Sequence, residues 1–213
     1  MKKFKIVREG YNFVLAALAL AILCYFAFGI YGIIPPIILA GYFLYFFRNP
    51  ERTIPMDENL IVSPADGTVQ DVVQLEDDEF LKEPCTKVII FLSVFNVHVN
   101  RSPIAGEIKC QKYVCGRFKP AYKDEVGFEN ERHMLGIENS RLRVTVTQIA
   151  GILARRIVSW VTLDEKMEKG QVYGLIKFGS CTELVVPANV KIMVKKGDKV
   201  RGGETIMGRI EAK

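Results

Sequence analysis

A Gly-Ser peptide bond lies at the centre of Lys177-Phe178-Gly179-Ser180-Cys181-Thr182-Glu183. Two chemistries fit it. In one, Gly179-Ser180 is an ordinary turn. In the other, the Ser180 hydroxyl attacks the carbonyl of Gly179, and the resulting ester eliminates. The chain then breaks before Ser180 and leaves a pyruvoyl group there. Gly179 has no side chain to block the attack, and its backbone tolerates a strained geometry.

Other groups able to do chemistry are few. Asp66 stands in Ser63-Pro64-Ala65-Asp66-Gly67 and His98 in Asn96-Val97-His98-Val99-Asn100-Arg101-Ser102-Pro103. Asp66-Gly67 fits a hairpin turn, or a carboxylate that orients a histidine or takes part in proton transfer. On a strand, His98 and Asn100 share one face and Val97 and Val99 the other, which makes His98 either a surface residue or part of a polar pocket wall. His133, at the end of Asn130-Glu131-Arg132-His133, is the second of two histidines. The five cysteines, Cys24, Cys85, Cys110, Cys115 and Cys181, form no CxxC pair, so no metal site is expected. Their odd number fits reduced, intracellular thiols. Cys181 is either a nucleophile beside Ser180 or a small apolar core residue.

The elements that position these groups are mostly strands. Tyr173, Leu175 and Ile176 run into the Gly-Ser corner, and Leu184, Val185 and Val186 run out of it towards Pro187; two strands are expected to meet there. Leu60 to Val69 predicts two strands around the Pro/Asp/Gly turn. Val88 to Leu92 predicts a buried strand, and Ile104 to Val114 another after a bend at Ala105-Gly106. Arg141 to Ile149 alternates as a half-buried strand should. Phe118 to Glu131 is expected to be a loop over the site, Gly151 to Trp160 either a strand or, as favoured here, the start of a short helix, and Trp160 a core residue. From Val190 onward, strands alternate with Gly-rich turns, similar to the hairpins of lipoyl and biotinyl carrier domains, although the Met-Lys tip of those carriers is missing. The expected fold is therefore mainly β, an antiparallel, barrel-like sheet with some helix.

The helical part is N-terminal. Between Tyr11 and Phe47 there is no Asp, Glu, Lys or Arg. Gly29, Gly32, Pro35 and Pro36 interrupt this stretch, predicting two helices, about 12–30 and 36–47, in a hydrophobic hairpin that spans the membrane or dips into one leaflet. The stretch is too long for a cleaved signal peptide, and no small-residue cleavage site follows it. Lys2, Lys3, Lys5 and Arg8 precede it, and Arg48 and Arg52 follow it. Basic flanks place both ends at the cytoplasmic face of the cell membrane and attract anionic lipid. The net charge is +5, but no basic run is interleaved with exposed aromatics, so nucleic acid is not an expected partner. Residues 1–47 are read as the membrane-associated hairpin and 48–213 as the catalytic domain.

Together, Ser63 to Gly67, Asn96 to Pro103, Gly174 to Ser180, Phe47-Arg48-Asn49-Pro50-Glu51-Arg52 and Ala150-Gly151-Ile152-Leu153-Ala154-Arg155-Arg156-Ile157-Val158 resemble the phosphatidylserine decarboxylase family, most closely its short archaeal-type branch. The resemblance runs from about residue 46 to the C-terminus. It implies a proenzyme that cuts itself between Gly179 and Ser180, with chains 1–179 and 180–213 staying together as a heterodimer. It implies that Ser180 becomes the pyruvoyl cofactor, whose ketone forms a Schiff base with phosphatidylserine and serves as electron sink while carbon dioxide leaves. By the same resemblance Asp66 assists self-cleavage and His98 is linked to catalysis. In the long bacterial branch, the histidine of an Asp-His-Ser triad falls where this chain has Arg101. His98 is then the first choice for the base that activates Ser180, and His133 the reserve. A second departure, Cys181-Thr182-Glu183-Leu184 where Arg-Val-Asp is more usual, lies downstream of the bond that breaks.

Two other readings make different predictions. A membrane-anchored serine hydrolase with Ser180, His98 and Asp66 as a triad keeps its chain intact and reacts with fluorophosphonates, but it lacks the Gly-x-Ser-x-Gly elbow. A non-enzymatic, lipoyl-like barrel module keeps its chain intact and carries no reactive carbonyl.

Overall fold

The computed structural model describes residues 4–116, 130–151, 156–177 and 180–211. Gly179 and the expected loop from Phe118 up to residue 129 lie outside these residues. The chain divides into two compact units, Met1–Glu51 and Arg52–Lys213.

The first unit is a helical hairpin closed at its base by two short strands. Helix α1 (Arg8–Phe28) is followed by a 3-10 turn (Gly29–Ile33) and helix α2 (Ile34–Phe46). Both helices begin earlier than the Gly/Pro pattern predicts. Pro35 and Pro36 sit within the first turn of α2, where no intrahelical N–H is needed, so they open that helix instead of preceding it. Strands β1 (Phe4–Ile6) and β2 (Arg48–Pro50) pair antiparallel, with Ile6 opposite Arg48, which brings the two ends of the hairpin together. Phe13 packs on Phe43 and Phe47 at centroid distances of 5.3 and 5.1 Å. Gly10 lies so close to Phe47 that a Cβ would sit 2.6 Å from its side chain. The helical stretch is long and apolar enough to cross a membrane. At a rise of about 1.5 Å per residue, α1 covers roughly 31 Å, the thickness of a hydrocarbon core, whereas α2 alone covers only about 20 Å.

Among the described residues, the second unit is a β structure of three antiparallel sheets. The largest, which curls into a half-barrel, has the order β11-β7-β8-β9-β13-β5-β4-β15. Its strands are β4 (Gly67–Leu75), β5 (Cys85–Leu92), β7 (Gly106–Val114), β8 (Arg132–Glu138), β9 (Arg143–Ala150), β11 (Lys166–Met167), β13 (Ser180–Pro187) and β15 (Lys199–Val200). A second sheet joins β10 (Arg156–Ser159), β12 (Val172–Lys177) and β6 (Val99–Arg101), and a third joins β14 (Val190–Ile192), β16 (Ile206–Ile210) and β3 (Leu60–Val62). The main core row crosses four strands, with Leu135, Val146, Leu184 and Val88 in register and fully buried. Each such side chain contributes about 1.5–3 kcal/mol on burial.

Several local expectations change. Asp66-Gly67 is not a hairpin turn, because β3 and β4 belong to different sheets; the turn passes the chain from one sheet to the next. Strands β12 and β13 likewise belong to different sheets. Residues 156–159 form a strand paired with β12, the strand alternative for this stretch; residues 152–155 lie outside the described residues. Trp160 is 38% exposed and not part of the core. Strand β9 is buried on both faces, because Asp78 covers the Thr145 side, accepting a 2.8 Å bond from its hydroxyl.

Candidate active site

Strand β13 begins at Ser180, the candidate site residue. From its first residue it is paired on both sides, Ser180 standing opposite Leu92 of β5 and Ala150 of β9. Leu92 ends β5, and the turn that follows is built by Asn96, whose side-chain oxygen accepts 2.9 Å bonds from both the amide and the hydroxyl of Ser93. That turn leads into His98. The carbonyl of His98 accepts a 3.2 Å bond from the amide of Ile176, near the end of β12. His98 is thus tied to the end of β12, while β5, which runs into the turn before His98, pairs with the start of β13.

His98 is completely buried, which removes the alternative of a surface residue. Its Nδ1 lies 3.0 Å from the carbonyl of Asn96. In the neutral ring that bond keeps the proton on Nδ1 and makes Nε2 the basic nitrogen.

His133 is also buried, but its surroundings are different. Its Nδ1–H donates to Gln148 Oε1 at 3.2 Å, and its Nε2 accepts from Gln111 Nε2 at 3.0 Å. Burial pushes its pKa below the ordinary histidine value, opposed by the bond to Gln148. Both ring nitrogens are therefore occupied in the neutral form. Protonation would place an N–H against the Gln111 amide, so His133 is poorly suited to take a proton from serine.

Asp66 begins the turn into β4. Thr68 of β4 stands opposite Phe91, which stands opposite Cys181. The starts of β4 and β13 therefore lie at one edge of the sheet, on either side of β5 and about 10 Å apart at the usual strand spacing. The Asp66 carboxylate accepts two bonds from Arg52 Nη2, at 2.9 and 2.7 Å, and one from the amide of Gly202 at 2.8 Å. Arg52 also reaches Glu204 at 3.4 Å. No histidine is among the partners of Asp66 within the described residues. Arg101, in the triad position of the long branch, is buried and donates to the carbonyl of Gly170 at 3.0 Å. Burial, then the neighbouring Arg52, lowers its pKa, and Asp66 and Glu204 oppose that shift. Two arginines and two carboxylates thus form a charge-balanced cluster beneath the motif. The amide of Arg101 donates to the carbonyl of Pro64 at 2.9 Å, joining the Asp66 turn to the His98 strand.

Residues outside the expected set complete this corner. Gln148 Nε2 donates to Asn100 Oδ1 at 2.9 Å, and Asn100 Nδ2 donates to Thr182 Oγ1 at 3.0 Å. The signal for these residues was present in the strand pattern: Gln148 continues the inward series Leu142, Val144, Val146, and Thr182 begins the series Leu184, Val186. Each is a polar residue on an otherwise apolar face. Glu131 is a buried carboxylate that accepts from the Tyr113 hydroxyl and, at 3.2 Å, from the amide of Ile157. Burial first, and the bond to Glu131 second, push the Tyr113 pKa to about 12. Cys181 is buried, and burial raises its thiol pKa, which disfavours a nucleophilic thiolate.

Comparison with known proteins agrees with the resemblance in the sequence. A family profile described as "Phosphatidylserine decarboxylase" matches residues 39–208. The phosphatidylserine decarboxylase proenzyme of Symbiobacterium thermophilum is 46% identical over 214 residues, covering 99% of this chain and 98% of its own. That of Carboxydothermus hydrogenoformans is 50% identical over 169 residues, 79% of each chain. That of Geobacter metallireducens is 39% identical over 214 residues, 95% of each.

Proposed function

The chain belongs to the phosphatidylserine decarboxylase family, and on that premise we propose that it is a self-processing carboxy-lyase whose reactive carbonyl is generated from Ser180. It converts phosphatidylserine to phosphatidylethanolamine and carbon dioxide. The observation that carries the assignment of the site is the pairing of β13 on both sides from residue 180 onward. A chain that begins at this residue keeps its place without the peptide link to β12.

Processing follows from elementary chemistry. The Ser180 hydroxyl adds to the carbonyl of Gly179, and the amide nitrogen leaves as an amine, giving an ester. Loss of the Ser180 α-proton expels Gly179 as a carboxylate. The unsaturated residue left at 180 rearranges to an imine, which water hydrolyses to a ketone with release of ammonia. His98 is the base in this scheme, its Nε2 taking the hydroxyl proton. In its favour are complete burial, the Nδ1 bond that fixes the tautomer, and the engagement of both His133 nitrogens elsewhere. Asp66 assists by holding the Ser63–Gly67 turn through Arg52.

A pyruvoyl group at residue 180 would supply a ketone for the substrate amine and an electron sink for the loss of carbon dioxide. The residues around the start of β13 suit such a group. Asn100, Gln148 and Thr182 are uncharged and mutually hydrogen-bonded, and they place no competing amine or carboxylate there. His98 returns a proton to the substrate carbon. The N-terminal hairpin holds the enzyme to the membrane, with its basic flanks at the cytoplasmic face and near anionic head groups. The two cleavage products remain together as a heterodimer.

An intact-mass spectrum under denaturing conditions tests this. The expected result is two pieces, 1–179 and 180–213, the second blocked by a carbonyl, and a single uncut chain for Ser180→Ala. A wild-type chain that stays whole and reacts with a fluorophosphonate at Ser180 would establish a serine hydrolase instead.

A further inference from the structure

The polar side chains beneath the start of β13 form a directed series. His133, Gln148 and Thr182 stand in one cross-strand row, through β8, β9 and β13. It is the row next to Leu135, Val146 and Leu184 on the inward face. All three are buried, as is Asn100. The donors run one way: Gln111 to His133, His133 to Gln148, Gln148 to Asn100, and Asn100 to Thr182, at 3.0, 3.2, 2.9 and 3.0 Å. Asn100 lies in the small sheet and the other four in the large one. The series is thus a side-chain link between the two sheets, and its end on Thr182 is two residues from Ser180. Gly174 of β12 makes room for it, since a Cβ there would lie 3.0 Å from Gln148 Nε2.

Resting on the decarboxylase reading, we propose that this series is a positioning relay that keeps residue 180 in register with His98 after the chain is cut. Before cleavage, β12 and β13 are joined covalently through residues 178 and 179. Cleavage removes that link, and β13 is then held to the large sheet by its ladders. His98 immediately precedes β6 of the other sheet, its carbonyl bonded to Ile176 of β12, and lies two residues from Asn100. The Asn100–Thr182 bond connects the new N-terminal segment to the strand next to His98. The link is made of neutral groups, so it fixes geometry without adding a charge near the reacting carbonyl. A small loss of register is enough to slow a reaction that depends on aligned groups.

Thr182→Val keeps the shape of the side chain and removes the oxygen that accepts from Asn100. Gln148→Met keeps the volume and removes both bonds in the middle. The full-length protein in detergent with dispersed phosphatidylserine serves for the assay, with rates normalised to the processed fraction. Both variants should fall at least tenfold in kcat with KM within twofold of wild type, and Thr182→Ser should restore kcat. A variant that loses its fold leaves the decision to the other. Wild-type kcat in a processed Thr182→Val or Gln148→Met overturns the relay, as does an equal loss in Thr182→Ser and Thr182→Val. A wild-type chain that is never cut, or is cut and releases no carbon dioxide, overturns the decarboxylase reading itself and is distinguished by that control.

Discussion

Arg52 and Asp66 are fourteen residues apart and hold each other through two bonds from a single guanidinium nitrogen, at 2.9 and 2.7 Å. Their side chains are only 7% and 14% exposed. Arg52 ends the motif that follows the hydrophobic hairpin, and Asp66 opens β4, so the pair fastens the entry of the catalytic unit to the turn at the edge of the site. Removing one partner strands the other charge in a poorly solvated place. Asp66→Ala is expected to cost about 3–5 kcal/mol and to slow self-cleavage. Replacing Arg52 by Met as well should cost less than the two single changes added together. Urea denaturation of the four proteins gives the coupling directly.

Gly174 is required by its neighbours. A Cβ there would lie 2.5 Å from the carbonyl oxygen of Val158 and 3.0 Å from Gln148 Nε2. The first contact is with backbone and cannot relax cheaply. Gly174→Ala should destabilise the protein by about 1–3 kcal/mol, visible as a lower urea midpoint with an unchanged m-value.

The buried neutral His133 makes stability depend on pH. Its folded pKa lies below the ordinary 6.5 because burial disfavours the imidazolium. Below about pH 6.5 the unfolded chain binds a proton that the folded chain does not. Stability from this group is therefore complete above pH 6.5 and lost as the pH falls, by at most about 1.4 kcal/mol per unit. Unfolding free energies between pH 7.5 and about 5.5 should show this slope, and His133→Gln should flatten it.

On the proposed reading the hairpin serves substrate access more than chemistry. Deleting residues 1–47 should weaken activity on phosphatidylserine vesicles far more than on detergent-dispersed lipid. Equal loss on both would show that the hairpin does not position the enzyme.

The alternation of Val, Ile and Leu with polar residues was enough to mark most of the strands, because one face of each packs on a core and the side-chain period of a strand is two. The charge-free run from Tyr11 to Phe47 marked the hairpin for an equally local reason. Gly179-Ser180, with the motifs around Asp66 and His98, pointed to the family, since few chemistries need those residues in that order. Which strands neighbour one another was not legible: β3 and β4, and β12 and β13, are consecutive yet lie in different sheets, and local pattern cannot distinguish such a crossing from a hairpin. Nor could it separate His98 from His133, because their difference lies in partners, Asn96 for one, Gln148 and Gln111 for the other. The strand pattern marked Gln148 and Thr182 as polar residues on apolar faces, but their partners, like the pairing of Arg52 with Asp66, were decided by tertiary structure, which brought distant charges and polar groups into places where water could no longer satisfy them.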